Sequence, residues 1–139
     1  MKRNWVLPAA LWACLFLPAG LSLAEEGQID AFEEQCAGKP PAAREDCRNL
    51  VLKMWGVEVN TAYKEYLSRL DPRGKNLLRD SQTAWIRFRK AEIARLQYIM
   101  AQNPGAFPKD LALDYLINLD RNRARVLQEF GKIPEAGTQ

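Results

Sequence analysis

Apolar residues in this chain return every three or four positions over long stretches, the spacing that gathers them on one side of an α-helix. From residue 42 to 70 the series Val51, Trp55, Val59, Ala62, Tyr66 and Leu70 predicts one long helix, with Gly56 a soft spot inside it. Before it, Ile29, Phe32 and Cys36 predict a short amphipathic helix ending near Ala37 and Gly38, and Lys39-Pro40-Pro41 makes the turn between the two. Asp71-Pro72-Arg73-Gly74 reads as a compact turn, after which a third helix runs from about Lys75 to about Gln102, where Asn103-Pro104-Gly105 stops it. A last helix is expected from Asp110 to about Phe130. Its core side would be Ala112, Tyr115, Leu119, Val126 and Phe130, its wet side Asp114, Asn118, Arg121 and Arg125, and its C-cap Gly131. The expected fold is therefore all-α: a small helical bundle built on a long antiparallel helix hairpin, with a short N-terminal helix and a C-terminal helix.

The third helix breaks the pattern in an informative way. Gln82, Trp85, Arg89 and Glu92 continue the line of Leu78 and Leu96, so a polar row runs through the apolar side. A guanidinium there loses several kcal/mol of hydration unless it meets a carboxylate or carbonyls. Folding the chain about Pro72 sets Trp85 opposite Asn60, Gln82 opposite Tyr63 and Arg89 within reach of Glu58. The run Val59-Asn60-Thr61-Ala62-Tyr63 is accordingly expected to meet the polar row, each satisfying the other's buried groups, with architecture as the first role of these residues.

Composition narrows the chemistry. The 139 residues are 47% hydrophobic and 27% charged, the mixture of one ordinary globular domain. Histidine is absent, which removes Ser-His-Asp and Cys-His nucleophile pairs and imidazole metal sites. No Gly-rich phosphate loop or metal-ligand spacing is present, and no pair of carboxylates stands out as a glycosidase couple. The expectation is a binding protein with no catalytic residues and no cofactor or metal.

Residues 1–24 read as a secretory signal peptide: Lys2 and Arg3, an apolar run from Trp5 to Ala19, then Ser22-Leu23-Ala24 as the cleavage site. The run is too short and proline-interrupted for a membrane span. Trp12 makes Leu11-Trp12-Ala13-Cys14 a poor lipoprotein box, so Cys14 is not expected to carry lipid. Cleavage leaves a single domain at 25–132, a loose tail at 133–139 and a periplasmic address. It also removes two of the 20 basic residues and none of the 17 acidic ones, for a net charge of +1. Nucleic-acid binding loses its electrostatic argument, and no membrane contact is expected after cleavage. Cys36 and Cys47 remain, an even number in an oxidising compartment, and are expected to pair; a redox couple would call for Cys-x-x-Cys spacing. Closing so short a loop contributes about 3 kcal/mol on the chain-entropy estimate.

The order Ser81-Gln82-x-Ala84-Trp85-Ile86-x-Phe88-Arg89-x-Ala91-Glu92, together with Cys36, Cys47 and the run Val59 to Tyr63, resembles the central signature of the LprI-like family of small secreted bacterial proteins, named for a lysozyme inhibitor. The resemblance spans Cys36 to Met100 and leaves the last third unmatched. In that family a further cysteine follows the glutamate; here the position is Ile93, which removes a second disulfide. Membership implies binding of lysozyme in the cell envelope by a loop or helix end that plugs the enzyme's cleft. Animal c-type lysozymes are strongly basic, so the acidic patch of Glu25, Glu26, Asp30, Glu33 and Glu34 beside the disulfide loop is the candidate contact. Two other readings stay open: an immunity protein against another peptidoglycan hydrolase, and a non-inhibitory structural or chaperone-like protein of the envelope.

Overall fold

The computed structural model describes residues 21–105 and 108–134, with side chains from Gly27 onward. Residues 1–20, the greater part of the expected signal peptide and Cys14 with it, the side chains of Glu25 and Glu26, and residues from 135 onward lie outside the described residues. Four helices make up what is described: α1 (Leu21–Ala37), α2 (Pro41–Arg69), α3 (Pro72–Gln102) and α4 (Lys109–Gly131). Their order and extents follow the apolar periodicity closely. The largest difference is at the start of α1, which begins at Leu21, four residues before the expected cleavage product's Glu25; next is the start of α3, three residues earlier than Lys75. There Asp71 acts as N-cap, its Oδ1 accepting the Gly74 N–H at 2.6 Å, and Pro72 takes the first helical position. An Asp-Pro pair supplies both an acceptor for an orphan N–H and a φ already helical, so the turn signal doubles as a helix start.

The cysteines pair as expected. Cys36 at the end of α1 and Cys47 in the second turn of α2 form a disulfide with Cα atoms 5.6 Å apart, and both are buried. The core is Val51, Trp55, Val59 and Ala62 of α2 against Ile117, Ala124 and Leu127 of α4, closed by Ile29 of α1 and Leu78 of α3. The closest backbone packing joins α2 to α4, with α1 next; α3 stands further off from both. Since α2 and α3 are antiparallel, and α3 and α4 likewise, α2 and α4 run side by side in the same direction. Contacts rise in register along them, from Glu45 with Lys109 at one end to Arg69 with Gly131 at the other.

Small residues explain why α4 wins the place beside α2. Its buried side is Ala112, Ile117, Asp120, Ala124, Leu127, Gln128 and Gly131. This is displaced by about one residue, or roughly 100°, from the expected side. Tyr115, Val126 and Phe130 are 36%, 45% and 53% exposed, while Arg121 turns inward. Alanine and glycine let two backbones approach where valine and phenylalanine would hold them apart. At Gly131 a Cβ would lie 3.4 Å from the Tyr66 Cβ, and the Gly131 carbonyl accepts from Arg69 Nη1 at 2.7 Å. Gly131 thus packs on Tyr66 of α2 and is not the C-cap; the helix ends at Lys132 in an ordinary right-handed conformation.

Candidate functional site

The polar row of α3 is satisfied by α4, where the sequence pointed to α2. Arg89 forms a two-pronged ion pair with Asp120, Nε to Oδ1 at 2.6 Å and Nη2 to Oδ2 at 2.7 Å. Asp120 is fully buried, so this guanidinium is what keeps a carboxylate tolerable inside the core. Donating these hydrogen bonds to Asp120 in turn raises the Arg89 pKa. Gln82, also buried, accepts from Arg123 Nε and Nη2 at 3.0 and 2.8 Å, and Arg123 lies over the Trp85 ring at 5.8 Å. Glu92 takes Arg95 on both oxygens and Tyr115 at 2.5 Å. Those donors, Arg95 first and Tyr115 second, lower the Glu92 pKa to about 2.

Two expected partners are elsewhere. Glu58 is buried in α2 and accepts from Gln128 Nε2 at 2.6 Å. Asn60 is exposed, one position beyond the buried Val59, and enters no described hydrogen bond with α3; Tyr63 is half-buried and packs against the core. α3 stands off from α2 and α4 alike, so only long side chains bridge either gap, and it is α4 that offers an aspartate where Arg89 arrives, while Glu58 is engaged by Gln128.

The other concentration of charge surrounds the disulfide. Here the end of α1 and the first turns of α2 and α4 enclose an open cleft of about 730 Å³. Of the expected acidic patch, Asp30, Glu33 and Glu34 line it; Asp110 and Asp114 of α4 complete an acidic set facing Arg44, Arg48, Arg121 and Arg125. Arg121 pairs with Glu33 and, at 3.3 Å, with Asp30; Arg125 reaches Asp30 at 2.8 Å; Arg48 pairs with Asp114 and lies 4.0 Å from Asp110. Asp30 and Glu33 are therefore held within the protein and do not form a free acidic patch with Glu34.

Within this cleft the charges are layered. The Arg48 and Arg121 side chains are 11% and 16% exposed, whereas Asp110 and Asp114 are 53% and 50% exposed. Glu34 is exposed and enters none of the described ion pairs. Beneath the arginines lies Trp55, fully buried, with the Arg121 and Arg125 guanidiniums 5.3 and 5.7 Å from its ring centre. The indole face attracts both cations while the acids neutralise them. The outcome is a carboxylate rim of Glu34, Asp110 and Asp114 over Arg48 and Arg121, with Arg125, 45% exposed, at the surface beside it.

Sequence reasoning missed Asp120, Arg121, Arg125 and Arg48. One signal for Asp120 was available: Ile117, Asp120, Ala124, Leu127 and Gly131 form an otherwise uncharged stripe at helical spacing with a single carboxylate in it, and Arg89 was in need of one. Among the described residues no group of three or more histidines, cysteines, aspartates or glutamates is placed to hold a metal, and no described helix is long and apolar enough to cross a membrane.

Fold and site together define a disulfide-stapled helical bundle whose polar residues are engaged in holding helices together and in presenting a charged rim. Residues 36–127 match the family model described as lysozyme inhibitor LprI, and the chain belongs to that family. The match reaches past Met100 into α4 as far as Leu127, so it takes in Asp120, the partner of the signature arginine. No curated protein and no solved structure matches the chain.

Proposed function

We propose that this chain is an exported, periplasmic inhibitor that binds a wall-degrading enzyme of the lysozyme type through the carboxylate rim at its disulfide end, and that it catalyses no reaction itself. The observation carrying this reading is the charged cleft: Glu34 is exposed and enters no described ion pair, and beside it Asp110 and Asp114, though paired with Arg48, stay about half exposed, in a chain of the lysozyme-inhibitor family. A basic enzyme surface would be drawn to such a rim, and rim charges act mainly on association rate and salt dependence. Engagement of Asp30 and Glu33 within the protein makes Glu34 the cleaner probe, since reversing Glu33 would also break its pair with Arg121.

The test follows wall lysis by c-type lysozyme with and without the purified mature protein at micromolar concentration. Slowed lysis that weakens as salt is raised, and that falls about tenfold in potency for Glu34→Lys at an unchanged melting temperature, is the expected result. Lysis unaffected by the wild-type protein discards lysozyme as the target, and the same assay with other peptidoglycan hydrolases then tests the immunity-protein reading.

A further inference from the structure

At the end of the bundle opposite the disulfide, the turn between α2 and α3 and the last turns of α4 leave an open groove of about 470 Å³. Tyr66, Leu70, Leu77, Leu78, Val126 and Phe130 supply its apolar lining. Leu77, Val126 and Phe130 remain 62%, 45% and 53% exposed, although apolar side chains gathered this way are normally covered.

One charge stands in this lining, that of Arg123. Arg48, Arg89, Arg95, Arg121 and Arg125 each have a carboxylate partner. Arg123 instead donates to neutral oxygens, Gln82 Oε1 and, from Nη2 at 3.2 Å, Ser81 Oγ, and its Nη1 donates to no described acceptor. Burial alone shifts its pKa, and in the direction of a charge left uncompensated. Gln82 and the Trp85 ring hold the guanidinium in place, so the cost of orienting it is met before any ligand arrives.

We infer that this groove docks a short segment of a partner protein in which one carboxylate, reaching Arg123, is flanked by apolar side chains that lie against Leu77, Val126 and Phe130. The charge complementarity lies in the cation: the Nε and Nη2 side of Arg123 is taken by Gln82 and Ser81, and the remaining Nη1, on a guanidinium with no described carboxylate partner in an apolar wall, favours a carboxylate over the neutral isosteric amide. The groove is open along its length, which suits a segment laid across it; a small amphiphile calls for a cavity that encloses most of its surface. This surface is independent of the disulfide-end rim, so its failure would leave the lysozyme reading standing, and the reverse.

The experiment titrates the full mature protein with a pool of pentapeptides, each a central glutamate flanked by leucine and phenylalanine, and with the matched pool carrying glutamine, by fluorescence anisotropy and amide chemical-shift mapping. The glutamate pool is expected to bind about tenfold more tightly, with shifts confined to the ends of α2 and α4 and the start of α3. Arg123→Gln should abolish the difference between pools, and Leu77→Ser, which leaves the Arg123 contacts intact, should weaken both. Equal affinity of the two pools, no binding by either, or shifts centred elsewhere would overturn the inference. So would a concentration-dependent dimer abolished by Leu77→Ser, which would give the groove to a second copy, or displacement of the peptides by dodecanoate at equal concentration.

Discussion

Where α4 meets α2 the core of the seam is apolar and close, Val51, Trp55 and Val59 against Ile117, Ala124 and Leu127, with the Glu58–Gln128 hydrogen bond inside it and ion pairs at its disulfide end; where it meets α3 the seam is made by long polar side chains, Arg89 on Asp120, Arg123 on Gln82 and Tyr115 on Glu92. The first draws its strength from area removed from water and from atoms in contact, so it tolerates changes that keep volume. The second draws its strength from fork geometry around a buried carboxylate and tolerates little, since even Arg to Lys gives up a two-pronged bond. One helix thus serves two neighbours by two kinds of chemistry. The family signature in α3 is intelligible only once α4 is counted with it.

The sharpest way to break this contrast is to remove one member from each seam. Trp55→Ala, which empties the most buried aromatic site, and Arg89→Ala, which strands Asp120 in the core, should each cost about 3 to 5 kcal/mol in urea unfolding. Trp85 is only partly buried, so Trp85→Ala should cost roughly half as much as Trp55→Ala, measured the same way. Reducing the Cys36–Cys47 disulfide should cost about 3 kcal/mol or less, lowering the melting temperature while far-UV circular dichroism keeps its helical form, because the bond ties α1 to α2 and leaves the α2–α4 seam intact.

The smallest effect concerns pH. Glu92 has its pKa lowered from 4.5 to about 2 by Arg95 and Tyr115. A carboxyl depressed in the folded state contributes stability that is present above its unfolded pKa and is lost as pH falls through the folded one. The protein should therefore lose this contribution between about pH 4.5 and about pH 2. Glu92→Gln should be slightly less stable at neutral pH and show a shallower fall across that window, readable as melting temperature against pH.

The helices were legible because their apolar spacing and proline-bounded turns are local signals, as was the pairing of Cys36 with Cys47. The rotation of α4 was not. Tyr115, Val126 and Phe130 offered an apolar side, yet packing favoured the one with Ile117, Ala124, Leu127 and Gly131, where small residues alternate with large ones against α2. That misplacement hid Asp120 and so misassigned the partner of Arg89. The acidic patch was half legible: Asp30, Glu33 and Glu34 do line one cleft, but the arginines that engage two of them come from α4, some ninety residues further along the chain.

The most direct measurement is a double-mutant cycle in urea unfolding: Arg89→Ala, Asp120→Ala and the pair together, with Arg89→Ala and Glu58→Ala as the control cycle. Coupling of about 2 kcal/mol or more between Arg89 and Asp120, with near-additivity for Arg89 and Glu58, is the expected result. Additivity within about 0.5 kcal/mol for Arg89 and Asp120, or the larger coupling falling on Glu58, would contradict the claim that α4 completes the signature of α3.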